Sequence, residues 1–96
     1  MMTLDELRAT LGSPAAPSGL PQTILALWHD ARGDWETAHD VAQEIDGPDG
    51  AWIHAYLHRK EGDLGNAGYW YRRAGRPTAA GPLDEEWIAI VSALLT

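Results

Sequence analysis

The 96-residue chain is long enough to bury a hydrophobic core and shorter than chains that usually divide, so we expect one domain, residues 1–96. It contains no cysteine, which excludes disulfides, thiolate nucleophiles and cysteine-ligated zinc and is typical of a reducing compartment. The net charge of −7 argues against the broad positive surface that non-specific nucleic-acid binding requires.

The first predicted element is a short N-terminal helix over residues 4–11. Thr3 and Glu6 have the spacing of a capping box, and we expect Gly12 to end the helix in a left-handed conformation. Three prolines within residues 14–21 indicate that segment 12–20 is an extended linker, so this helix should dock on the core as an appendage.

No targeting or membrane segment is predicted. The N-terminal sequence lacks a basic region followed by an apolar stretch, and no run approaches the roughly 18 apolar residues of a membrane span. We therefore expect a cytoplasmic protein without membrane contact.

Two helical hairpins should follow the linker, over residues 21–46 and 48–75. In the first, Pro21 can start a helix, Gly33 ends it, and Asp34 caps the next one. The second hairpin should bury one stripe on each helix. The predicted core residues of these two helices are Trp52, Ile53, Tyr56, Leu57, Leu64, Ala67, Trp70, Tyr71 and Ala74.

A capping helix over residues 82–95 completes the predicted architecture. Its first turn is acidic, which complements the helix dipole, and its apolar stripe is broad. No segment has the period-two alternation of a strand. We therefore predict an all-α fold in which two tandem antiparallel hairpins are flanked by an N-terminal and a C-terminal helix.

The two hairpins resemble one another in sequence. Residues 33–35 (GDW) recur 29 positions later as residues 62–64 (GDL), and His29 corresponds to His58. The second unit is similar to tetratricopeptide and Sel1-like repeats at Ala55, Gly62, Asp63, Ala67, Tyr71, Ala74 and Pro77. This resemblance, over about residues 22–77, implies stacked helix pairs that bind other proteins. The second half also resembles segments of small bacterial proteins, which implies a bacterial source.

The preferred binding site is an exposed aromatic and basic face on the fifth helix. Tyr69, Arg72 and Arg73 share the side opposite the predicted core, and Arg76 lies just beyond the helix end. Guanidinium groups beside an aromatic ring can bind a carboxylate, a phosphate or an acidic helix. The alternative is a solvated cationic face with a Tyr–Arg cation–π contact.

A second candidate site consists of histidines. His54 and His58 lie four residues apart on one helical face, a spacing that can hold a divalent metal, and His29 or His39 is a candidate third ligand. The alternative is a structural role for these rings at a helix interface. The glycines at 62, 65 and 68 do not form a phosphate loop, because no strand precedes them and no Lys-Ser or Lys-Thr follows.

These patterns favour a protein-interaction or adaptor module over an enzyme. We assign no catalytic residue and expect no cofactor, since the sequence contains no nucleophile elbow, metal motif or cofactor fingerprint. The alternative hypothesis is a small-ligand or metal-binding protein, or an enzyme, that uses His29, His54 and His58. A third hypothesis is homo-oligomerisation through the apolar stripe of residues 87–95.

Overall fold

A computed structural model describes residues 2–95 of the chain. No strand occurs in this range, and the all-α prediction is confirmed. A 3₁₀ turn, Thr10–Gly12, follows the first helix. The helices in chain order are α1 (Leu4–Ala9), α2 (Gln22–Ala31), α3 (Trp35–Gln43), α4 (Gly47–Glu61), α5 (Leu64–Ala74) and α6 (Leu83–Leu94).

The two predicted hairpins are present, because α2 packs on α3 and α4 packs on α5. Their turns are built alike. Each contains a glycine at positive φ, Gly33 at 82° or Gly62 at 90°. Each then places an aspartate before the next helix: Asp34 accepts a hydrogen bond from the Thr37 amide, and Asp63 accepts one from the third residue beyond it. The sequence echo therefore corresponds to a repeated turn.

Several predicted helix boundaries differ from those observed. Gly12 was expected to stop the first helix in a left-handed conformation, but α1 ends at Ala9 and Gly12 is not at positive φ. The Thr10 hydroxyl donates to the Leu7 carbonyl at 2.7 Å, a local bond that competes with continued α-helix. α4 starts at Gly47, since Pro48 needs no partner for its nitrogen in a first turn. α6 spans 83–94 instead of 82–95.

The predicted docking of the N-terminal helix on the core is observed. Leu7 is fully buried in the same cluster as the core residues of α2 and α4. The Trp28 indole N–H donates to the Thr10 hydroxyl at 3.0 Å, which ties the end of the N-terminal helix to α2.

The central element is α4, which packs against α2, α3, α5 and α6. All nine residues from 50 to 58 are buried, although the sequence predicted burial on one stripe only. A helix enclosed by neighbours has no solvent face. His54 and His58 are consequently inside the protein.

The last helix returns to the start of the bundle and does not extend the hairpin stack. α6 packs on α1, α2 and α4, with Trp87, Ile90 and Val91 buried. The Trp87 indole N–H donates to the Leu27 carbonyl at 2.9 Å. Much of the apolar stripe considered for homo-oligomerisation is thus used within one chain.

Candidate functional site

The outer side of α5 carries the predicted binding residues. Ala67 and Tyr71 on the inner side are buried, and this orientation turns Tyr69, Arg72 and Arg73 toward solvent. Tyr69 is 44% exposed. The three residues therefore share a surface, as their helical spacing predicted.

The aromatic and basic groups of this surface already contact one another. Arg73 Nη1 donates to Tyr69 Oη at 2.8 Å, and the same guanidinium lies 5.1 Å from the centroid of the Trp70 ring. Arg76 is differently placed: its guanidinium lies 3.4 Å from the ring centroid of Trp52. Arg76 thus lines a separate concavity, between α4 and the segment after α5.

Leu64 was predicted to be buried, and this prediction is wrong: the side chain is 68% exposed. Its counterpart in the first hairpin is Trp35, which α4 covers and whose indole N–H donates to the Leu57 carbonyl at 2.8 Å. After α5 the chain turns back to α1, α2 and α4, so α6 does not cover Leu64 in the same way. Leu64 and Tyr69 are the two strongly exposed large hydrophobic residues within 2–95.

A cluster of three histidines lies where α3 meets α4. One ring nitrogen from each of His39, His54 and His58 lies within 4.8 Å of the others. His54 and His58 were predicted to form a candidate metal site with His29 or His39 as third ligand. The structure brings His39 to them, whereas His29 packs edge-on against Trp28, 5.1 Å between ring centroids, beside the linker.

The hydrogen bonds of the cluster define the orientation of its rings. His54 Nε2 and His39 Nε2 face one another at 3.1 Å. His58 Nδ1 lies 2.7 Å from a carboxylate oxygen of Glu61, so we assign the Nδ1 proton to this bond. The Asn66 amide approaches His58 Nε2 at 3.5 Å, a contact too long for a strong bond.

Aromatic rings enclose the cluster on both sides. Trp35 stacks on His39 with centroids 4.9 Å apart, and Trp70 lies 4.1 Å from the His54 ring. His54 and His58 are each 7% exposed, whereas His39 is half-buried and leaves one side of the cluster accessible.

Burial and neighbouring imidazoles keep the rings of His39 and His54 neutral at pH 7. Burial, reinforced by His39 and His58, lowers the pKa of His54 to about 4. Burial and His58 also lower the pKa of His39, while the nearby carboxylates of Asp40 and Glu61 act in the opposite direction. Of the two ring nitrogens that face one another, one therefore carries a proton and donates it to the lone pair of the other.

Two buried polar networks were not found from the sequence, because their partners lie 15 to 30 residues apart along the chain. Asp30, 2% exposed, accepts from Tyr56 Oη at 2.7 Å and from Lys60 Nζ at 2.9 Å. A second network of this kind links α4 and α5 to α6 through Arg59, Glu86 and Tyr71.

The tyrosines of these networks have pKa values above their ordinary range, chiefly because burial disfavours the phenolate. Buried Asp30 adds to this effect at Tyr56, and Glu86 adds to it at Tyr71. Both hydroxyls remain proton donors at neutral pH. The networks therefore join helices and do not resemble a general-base site.

Comparison with known proteins adds no family assignment. No protein-family model matches the chain, and no curated protein or solved structure is significantly similar to it. The resemblance to tetratricopeptide and Sel1-like repeats thus depends on the chain's own residues. Between residues 2 and 95, no helix combines the length and apolar character needed to cross a bilayer.

Proposed function

We propose that this protein is an interaction module that binds an acidic helical segment of a partner protein through the outer side of α5. We call this surface the α5 face and define it by Leu64, Gly68, Tyr69, Arg72 and Arg73. The observation that carries the proposal is the placement of the two strongly exposed large hydrophobic residues of 2–95 on this one helix, beside two exposed arginines. Aromatic residues and arginine are enriched among the residues that dominate binding energy at interfaces.

The first hairpin suggests how a partner helix would pack on the α5 face. On α3, Trp35 and His39 contact α4. The 29-residue offset relates these two positions to Leu64 and Gly68 on α5. A helix packed on α5 as α4 packs on α3 would therefore cover the exposed Leu64 side chain and pass Gly68, which has no side chain and is bordered by the Arg72 guanidinium. The positions in the first hairpin equivalent to Tyr69, Arg72 and Arg73 are exposed, so these three groups would lie beside the partner helix and not beneath it.

Charge favours an acidic occupant. Arg59 and Lys60 of α4 form ion pairs with Glu86 and Asp30. Arg72 and Arg73 have no carboxylate within 4.0 Å among residues 2–95. Two unpaired guanidinium groups on a chain of net charge −7 form a local basic patch, which can attract carboxylates and bind them bidentately.

The repeat resemblance supports the same function by analogy, because stacked helical hairpins usually serve as protein-binding surfaces. The absence of cysteine supports placing this interaction in a reducing compartment, the cytoplasm of a bacterial cell.

The test compares two charge reversals that differ in location. Arg72→Glu reverses a charge in the last turn of α5, and Arg8→Glu makes the same change in the last turn of α1. Wild-type protein, these two variants and Tyr69→Ala are used to capture partners from lysate of the source cells, with quantitative mass spectrometry. We expect proteins retained by wild type and Arg8→Glu to be lost from Arg72→Glu and from Tyr69→Ala.

Partners retained equally by all four proteins would contradict the α5 face as the binding surface. Sedimentation equilibrium tests the other occupant, a second copy of this chain. Self-association that Arg72→Glu abolishes would replace the acidic partner with a homo-oligomer.

A further inference from the structure

Hydrogen bonding between helices does not by itself require the arrangement of side chains found in the histidine cluster. It joins three imidazoles from two helices, is walled by tryptophans, and shares no residue with the α5 face. We infer that His39, His54 and His58 form a three-nitrogen site for a divalent first-row transition metal, and that Zn²⁺ is the ion whose coordination geometry it fits best.

The distance between the facing nitrogens of two of the rings is close to the distance between two ligand nitrogens on one metal ion. Zinc–imidazole bonds of 2.0–2.1 Å in a tetrahedron separate ligand nitrogens by about 3.4 Å. His39 Nε2 and His54 Nε2 are 3.1 Å apart, which corresponds to an angle of about 98° at a shared zinc. A metal ion would take the place of the proton between these two nitrogens with little movement of either ring, and that proton would move to Nδ1 of the ring that carries it.

The third ring is oriented by a carboxylate. His58 donates from Nδ1 to Glu61 at 2.7 Å, and Nε2 remains an acceptor. Metal-binding histidines commonly use their second nitrogen in this way, because the carboxylate selects the tautomer and raises the basicity of the ligating nitrogen. One ring nitrogen of His58 lies within 4.8 Å of those of the other two rings, so the His58 ring has to move or turn until its Nε2 reaches a tetrahedral ligand separation of about 3.4 Å.

The surroundings favour a cation of borderline softness. Three imidazole donors suit zinc, copper, nickel or cobalt, whereas magnesium and calcium prefer oxygen ligands. Asp40 and Glu61 place negative charge near His39, which partly compensates the charge of the ion. The half-buried side of His39 provides a route for entry, and a fourth coordination position is left for water.

The decisive experiment is a zinc titration of full-length protein that has first been stripped with a chelator. Competition with a chromophoric chelator measures stoichiometry and affinity. We expect one zinc per chain. His39→Gln removes a ligand at the accessible edge of the site and should weaken binding by more than about 100-fold, while Glu61→Gln should weaken it by about 10–100-fold. The matched control is His29→Gln, a histidine outside the cluster, which should bind as wild type does.

A measurement on the wild-type chain makes the test independent of whether the variants fold. In ¹⁵N-labelled protein, zinc should shift the imidazole nitrogens of His39, His54 and His58 and leave those of His29 unchanged. Failure to bind one zinc per chain would overturn the proposal. So would equal affinity in His39→Gln and His29→Gln, or zinc-induced shifts confined to histidines outside the cluster.

Discussion

Replacing Lys60 by Met removes the ammonium group that balances a buried carboxylate. Asp30 accepts hydrogen bonds from Lys60 Nζ at 2.9 Å and from Tyr56 Oη at 2.7 Å. In Lys60→Met, the carboxylate keeps the neutral tyrosine donor and loses this counter-charge. Because Asp30 is almost fully buried, little water is available to replace the lost interaction.

The expected cost follows from the burial of the two partners. Breaking a fully buried ion pair by removing one partner costs about 3–5 kcal/mol. The Lys60 side chain is 36% exposed, so solvent already screens part of the attraction, and we expect a loss of about 2 kcal/mol. For a domain of this size that loss lowers the Tm by about 8–16 °C.

Urea unfolding followed by tryptophan fluorescence measures the change. The double variant Asp30→Asn/Lys60→Met removes both charges, so it should be more stable than Lys60→Met alone. If the free energy of unfolding of Lys60→Met lies within about 0.5 kcal/mol of wild type, the assignment of Lys60 and Asp30 as a buried ion pair is refuted. A double variant no more stable than the single variant would refute it as well.

Three further predictions concern burial, pH and metal. Leu64→Gln should change the free energy of unfolding by less than about 0.5 kcal/mol, because the side chain is exposed, whereas Leu57→Ala should cost about 2–5 kcal/mol in the same urea assay. In the metal-free protein the pKa of His54 is about 4, compared with 6.5 for an unperturbed histidine, so the unfolded state takes up the proton first. The contribution of neutral His54 to the free energy of unfolding, up to about 3 kcal/mol, should thus be fully present above pH 6.5 and lost as pH falls toward 4. Between pH 7 and 4.5, the midpoint of urea unfolding should fall less for His54→Gln than for the wild-type protein. Finally, zinc at about 100 times its dissociation constant should stabilise the fold by about 2.7 kcal/mol in calorimetry, and a chelator should reverse this effect. An unchanged Tm would contradict specific binding to the folded state.

The helix limits that were predicted correctly depend on residues close together in sequence. Asp34 caps α3 through an amide only three residues away, and the second hairpin repeats this arrangement at Asp63. Gly33 and Gly62 turn the chain because they adopt positive φ without a steric penalty. Local chemistry of this kind can be identified in a single sequence. The end of α1 was less predictable, since the Thr10 hydroxyl competed with the helix.

Burial was predicted less well, because it depends on which helices surround a residue. Periodicity indicated one apolar stripe on α4, but four neighbouring helices enclose this element. The same pattern indicated a buried Leu64, yet α6 returns toward α2 and leaves it exposed. Neither outcome can be read from the spacing within one helix, because both depend on the path of a later segment.

The sequence by itself determined the all-α class, the two hairpins with their turns, and the juxtaposition of His54 with His58, because a helix places residues four apart on one face. It also determined that Tyr69, Arg72 and Arg73 share a surface. Only the tertiary structure decided that His39, and not His29, completes the histidine cluster. The 29-residue echo relates His29 to His58, but equivalent positions in successive hairpins need not touch. Contact between α3 and α4 depends on how two helices pack, and that is set by side chains distant in sequence.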